Sequence, residues 1–145
     1  MTKEEKLKEI SRQVTQCQKC SLYQGTNKAV PGDGNSEAKV MFIGEGPGYW
    51  EDQTGLPFVG AAGKLLDKLL QSIELERKEV FIGNVIKHRP SENRDPLPDE
   101  IEACRPFLDE QIRTIKPKII VTLGRYSMNK FLPGEKSESF AYRSE

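Results

Sequence analysis

Lys39-Val-Met-Phe-Ile-Gly44 sets four apolar residues in a row between a lysine and a glycine. A run this short and this continuously apolar reads as a strand buried on both faces, the kind found inside parallel sheets. Two later segments repeat the pattern, Glu79-Val-Phe-Ile-Gly-Asn-Val-Ile86 and Lys118-Ile-Ile-Val-Thr-Leu123. Helical patterns separate them. Gly60 to Ile73 carries the apolar stripe Leu65, Leu66, Leu69 and Leu70, and Asp99 is placed to cap a helix running to about Ile115. Residues 2–16 form a further amphipathic pattern through Leu7, Ile10 and Val14, and a short helix from Tyr126 to Leu132 follows the last strand. The stretch Pro31-Gly-Asp-Gly-Asn35, the segment from Glu45 to Phe58 and the proline-rich run from Lys87 to Pro98 read as turns and loops.

Strands alternating with helices predict an α/β fold with a parallel sheet and right-handed crossovers, in a single domain over residues 1–145 with no linker or repeat. Ligands of such sheets bind beyond the carboxyl ends of the strands, where both the Gly44–Gly48 loop and Asn84 fall.

Composition is quiet about function. The 22 basic and 22 acidic residues cancel, which leaves nucleic-acid binding to a local clustering of charge. No segment approaches the roughly 18 apolar residues of a membrane helix. The charged start Met1-Thr-Lys-Glu-Glu-Lys6 has no apolar stretch behind it, so the expectation is a cytoplasmic protein. Three cysteines are an odd number, which argues for reduced thiols rather than disulfides, and Cys17-x-x-Cys20 is a spacing that grips one metal or cluster.

Gly44-Glu-Gly-Pro-Gly48 fails as a dinucleotide fingerprint, because the sixth position is Tyr49. The P-loop reading of Gly63-Lys64 fails too, since Phe58 and Leu65 stand where glycine and a hydroxyl residue are needed. What remains is a tight turn after a buried strand, either structural or one that lets a ligand reach backbone amides. Phe58 is either core or a ring for stacking on a flat ligand. Asn84 is either a turn cap or a carboxamide suited to a pyrimidine edge. His88, the only histidine, is either solvated or the fourth partner of the three thiols.

As a set, Cys17-x-x-Cys20, Gly44–Gly48, Glu51-Asp52, Gly55-x-Pro-Phe-Val-Gly60, Asn84-Val-Ile-Lys, Arg89-Pro-x-x-Asn-Arg94, Glu102-x-Cys104 and Leu123-Gly-Arg125 resemble, in order, the family 4 uracil-DNA glycosylases. The resemblance implies a three-layer α/β/α fold around a central parallel sheet. It also implies hydrolysis of the N-glycosidic bond of deoxyuridine in DNA by a monomer, which leaves an abasic site. It puts Cys17, Cys20 and Cys104 on ligand positions of a 4Fe-4S cluster and Gly44, Glu45 and Gly46 on the uracil-lining loop. Phe58 takes the stacking position and Asn84 that of the amide reading the uracil edge. The water-orienting carboxylate is Glu45, Glu51 or Asp52, with Glu45 favoured because it lies inside the turn.

Two departures qualify these expectations. His88 stands where the family usually carries its third cysteine, a Cys3His set for which zinc is the alternative occupant. The family's His-Pro motif near its C-terminal end has no counterpart here, because His88 is the sole histidine. The expectation is a C-terminally truncated enzyme, or else an impaired remnant that keeps the cluster or zinc and binds DNA or a partner. Lys64, Lys68, Lys87, Arg89 and Arg94 are candidate phosphate contacts, each with a solvated surface as its plainer reading.

Overall fold

The structure, a computed structural model, describes residues 1–132. Four strands form one sheet in the order β1-β3-β2-β4: β1 (Asp33–Gly34), β2 (Val40–Gly44), β3 (Phe81–Asn84) and β4 (Ile119–Thr122). The three long strands are the three expected ones, and β2 pairs in parallel with both β3 and β4. The sheet is not wholly parallel, however. Within the stretch read as a turn, Asp33 and Gly34 pair antiparallel with Ile82 and Phe81 and cover the β3 edge. Two residues are too few to show an alternating pattern, so this strand is defined only by its partner. At Gly34, with φ of 137°, an added Cβ would lie 2.1 Å from the Val80 carbonyl oxygen.

The α-helices among the described residues are α1 (Lys3–Thr15), α2 (Tyr49–Thr54), α3 (Ala61–Ser72), α4 (Pro98–Ile115) and α5 (Arg125–Phe131). Alternation along the strands sorts the sheet into two faces. Phe42 and Ile82 pack with Leu66 and Leu70 of α3 on one side. Met41, Ile43 and Phe81 pack with Cys104, Leu108 and Ile115 of α4 on the other. Ile10 and Val14 of α1 then cover Phe107 on the outside of α4. These are the three layers of an α/β/α fold. The expected leucine stripe of α3 is only half right, because Leu65 is 70% exposed and Leu69 45%. A helix lying on one sheet face buries a stripe at every fourth position, and Leu66 and Leu70 fill it.

The start of α4 also differs from expectation. Leu97, not Asp99, is the N-cap, because Pro98 has its φ preset for the first helical position. Glu100 performs the capping, accepting the Leu97 N–H at 2.8 Å. Arg94 forks onto both Glu100 oxygens at 2.9 and 2.8 Å and, more than any other group, holds that carboxyl below the ordinary glutamate range. A depressed carboxylate contributes stability above its unfolded value of about 4.3, and the contribution is lost as pH falls through the lower folded value. Glu100→Gln is therefore expected to melt below the parent at neutral pH. The two melting curves should converge in acid as the pH falls through the lowered folded value, read by circular dichroism against pH. No helix among the described residues is long and apolar enough to cross a membrane.

Candidate functional site

Gly44 and Asn84 end β2 and β3 and stand opposite each other in the parallel register. A Cβ on Gly44 would meet Phe58 Cζ at 2.5 Å and Asn84 Oδ1 at 2.6 Å. The aromatic ring and the carboxamide thus converge over one glycine, and only glycine leaves them that space. Asn84 is 2% exposed. Its Oδ1 is the one buried side-chain polar atom without a hydrogen-bond partner among the described residues. Such an orphan costs about 1–3 kcal/mol and calls for an explanation. A free acceptor beside a half-buried ring is an arrangement that could receive an N–H from a flat ligand.

The Phe58 backbone is held in a conformation bulky residues avoid, with φ of 52°. Two clasps hold it there. Arg77 donates Nη1–H to the Pro57 carbonyl at 3.2 Å and Nη2–H to the carbonyls of Phe58 and Gly63. Glu51 accepts the Val59 and Gly60 N–H groups at 2.8 and 2.9 Å through Oε2, and the Gly48 N–H at 2.9 Å through Oε1. Arg77 has no local signal in the sequence, since its acceptors lie 10 to 20 residues away. Arg77→Ala would leave three part-buried carbonyls without this donor. The expected loss is about 1–3 kcal/mol, read as a lower urea midpoint with an unchanged slope.

The three candidate carboxylates occupy different settings. Glu51, in the first turn of α2, spends both oxygens on backbone amides as described. Asp52 is buried and accepts the Asn27 N–H and side-chain amide at 2.9 and 2.8 Å. Glu45 accepts the Tyr126 N–H at the start of α5 through Oε2, at 2.8 Å. Gly124, with φ of 111°, leaves room for that carboxylate, since a Cβ there would lie 2.6 Å from Glu45 Cδ. The turn itself is zipped to the chain after β3, with Val85 and Ile86 donating to the carbonyls of Gly44 and Glu45 at 3.0 and 3.1 Å. A Cβ on Gly46 would meet Ile86 Cγ1 at 2.7 Å. α2, read as loop from the sequence, is too short for periodicity. Its signals are the Gly48-x-x-Glu51 cap and the left-handed Gly55 that ends it.

Among the candidate phosphate contacts, Lys64 and Lys68 are exposed on α3. Arg94 is committed to Glu100. Lys87 is a correction: it is fully buried and donates to Gln111 Oε1 at 2.9 Å, so it cannot meet a phosphate. Gln111 in turn donates to the Pro31 carbonyl at 2.7 Å. Burial pushes the Lys87 ammonium down to about 8, against an opposing pull from Cys104.

Cys17 and Cys20 are half-buried at the end of α1, and Cys104 is buried in α4. Burial raises the Cys20 thiol, and it pushes Cys104 up to about 11. Cys104 feels Cys20 and Cys17 as neighbouring negative charge, whereas Cys20 feels Glu100, Cys17 and Asp99. The Leu22 and Lys87 backbones oppose that rise at Cys20 and Cys104 respectively. His88 is buried too, which holds its imidazole below the ordinary value, with Asp52 pulling the other way. No three His, Cys, Asp or Glu side chains among the described residues stand at metal-holding spacing. Cys20 packs against the cluster that holds Cys104, while Cys17 packs beside Val14 and Phe107. The electrostatic neighbour of His88 is Asp52.

A family model of the uracil DNA glycosylase superfamily matches residues 31–143. The type-4 uracil-DNA glycosylase of Sulfurisphaera tokodaii is 54% identical over 136 residues, which are 93% of this chain and 61% of that protein. That of Saccharolobus solfataricus is 56% identical over 119 residues, 81% of this chain and 55% of that protein. The type-4 enzyme of Thermotoga maritima is 44% identical over 135 residues, 93% of this chain and 70% of that protein. The chain thus spans between 55% and 70% of the length of these curated relatives. With a three-layer α/β/α fold, a family model over most of its length and this degree of identity, the chain belongs to the type-4 uracil-DNA glycosylases.

Proposed function

We propose that this chain releases uracil from DNA by hydrolysing the N-glycosidic bond of deoxyuridine. The observation that carries the reading is the buried, unpartnered Oδ1 of Asn84 facing Phe58 across Gly44. Uracil presents an N–H donor between two carbonyls, and a flat face. Asn84 offers an acceptor and donors side by side, and Phe58 offers a ring. A target base inside a duplex is out of reach, so the nucleotide is extruded into the pocket at a cost of a few kcal/mol. Cleavage leaves a cationic sugar and a uracil anion. The Asn84 amide group and the amides of the glycine turn stabilise the anion, and Glu45 orients water or balances the sugar.

The same proposal gives Cys17, Cys20 and Cys104 to an iron–sulfur cluster, with His88 as fourth ligand. The charge that Cys104 feels from Cys20 and Cys17, together with the Cys17-x-x-Cys20 spacing, supports the cysteines. The cluster's contribution is structural cross-linking of the chain after α1 to α4, not a step of the reaction. Purified without oxygen, the protein is expected to be brown and to contain iron and acid-labile sulfide, both lost in Cys104→Ser. A colourless protein holding only zinc would replace the cluster with a closed zinc site.

The test of function is uracil release from a labelled oligonucleotide holding a single uracil, with the thymine equivalent as control. Release from the first alone is expected. No release from folded, metal-loaded protein would overturn the proposal and leave a binding remnant.

A further inference from the structure

Tyr49 and Trp50 have no role in the fold that their exposure would explain. They are 49% and 59% exposed and belong to none of the core clusters. The helix they open is held by other groups, Glu51 at its start and Gly55 at its end. Tryptophan is normally well covered, so an uncovered one on a short, independently capped helix points to a ligand.

Their place identifies the ligand. The two rings follow directly on the Gly44–Gly48 turn and pack edge to face, with centroids 5.0 Å apart at 90°. Trp50 Cδ1 lies 3.5 Å from where a Cβ on Gly60 would stand, so it borders the loop that carries Phe58. The Arg89 guanidinium lies over the Tyr49 ring, 5.6 Å from its centroid, and its Nε–H is donated to Asn93 Oδ1 at 2.9 Å. Lys64 stands exposed on α3, its N–H bonded to the Gly60 carbonyl at 3.1 Å. Exposed aromatic rings bordered by cations beside a proposed base site are the composition of a single-strand platform. Bases stack on the rings while the cations meet the phosphates.

We propose that Trp50, braced by Tyr49 packed edge to face beside it, forms a stacking platform for a nucleobase flanking the extruded nucleotide. The protein then engages single-stranded DNA whether or not uracil is present. The inference rests on the reading of the Phe58–Asn84 pocket as a base site. Extrusion strips the neighbouring bases of a stacking partner, and the platform supplies a new one. Base-on-aromatic stacking changes affinity by about 5- to 100-fold per base. No hydrogen-bond readout is involved, so the preference is for strandedness rather than for sequence.

Trp50 is the only tryptophan in the chain, so its emission reports the platform directly. Titration with an oligothymidine lacking uracil is expected to quench Trp50 saturably, and a duplex of equal length to do so more weakly. By anisotropy of a labelled oligothymidine, Tyr49→Ala and Trp50→Ala should each bind about tenfold more weakly or worse. Trp50→Phe should retain most of the affinity, and melting curves should match the parent throughout. Unchanged emission at saturating DNA would overturn the platform, as would variants that bind like the parent. Emission that depends on protein concentration without DNA would overturn it too, by placing a second copy of the chain on the rings. Neither readout uses uracil or cleavage. Lost quenching with uracil release intact defeats the platform alone, and lost release with quenching intact defeats the catalytic reading alone.

Discussion

Asn84→Ala is expected to cut uracil release about 100- to 1000-fold while the protein melts no lower than the parent. The rate loss is that of a donor or reader group removed from a developing anion in a dry site. The stability half of the expectation comes from the orphaned oxygen. Asn84 is buried with Oδ1 unpartnered in the ligand-free protein, so its desolvation is uncompensated until a ligand arrives. Alanine removes a penalty of about 1–3 kcal/mol and leaves a small gap beside Phe58, which offsets part of the gain. A net gain of about 1 kcal/mol would raise the melting temperature by roughly 4 °C. Most buried polar truncations lose both activity and stability. Here the signs should separate, as happens where a group is kept for function against the interest of the fold. Calorimetry beside single-turnover release checks both. A variant that melts well below the parent would mean that Asn84 holds the pocket together rather than reads its contents.

The same residue shows how far the sequence could be read. The three parallel strands were legible because each contains a continuous apolar run, and the ends of two of them are Gly44 and Asn84. The third, β4, was expected to be buried, but Ile119 is exposed and the rest only half-buried, because the strand lies at the sheet edge. Phe58 was visible only as an aromatic in a Gly/Pro-rich segment. What fixes its backbone at positive φ is Arg77, and such tertiary clasps leave no local pattern. For the same reason Lys87 reads as a surface cation until its partner Gln111, 24 residues on, is seen beside it. The strand β1 and the helix α2 are shorter than any period that would reveal them. The acidic pair Glu51-Asp52 was visible as chemistry. Its bonds to the amides of residues 27, 48, 59 and 60 were not, because a carboxylate next to a glycine turn has the same sequence whether it meets amides or water.

Gly63→Ala should reverse the usual effect of its class. Alanine for glycine inside a helix ordinarily stabilises by about 0.5–1 kcal/mol, because it restricts the unfolded chain. Gly63 lies in the first turn of α3, and a Cβ there would stand 1.9 Å from the Phe58 carbonyl oxygen and 2.3 Å from its carbon. The obstacle is backbone, so no side-chain rotation relieves it. Nor is that backbone free to retreat, since Arg77 grips the Phe58 carbonyl and Glu51 grips the next two amides. Overpacking against a fixed neighbour costs about 1–3 kcal/mol or more, which exceeds the propensity gain. The net expectation is a loss of about 2 kcal/mol and a melting temperature lower by roughly 8 °C. Gly25→Ala is the control, because nothing lies within 4 Å of a Cβ at that position. The second consequence is functional. Whatever movement accommodates the methyl group displaces Phe58, so uracil release should fall even far below the melting temperature, where nearly all the protein is folded. If Gly63→Ala instead melts at or above the parent, the loop is softer than its clasps imply, and the ring over Gly44 is positioned by the ligand rather than waiting for it.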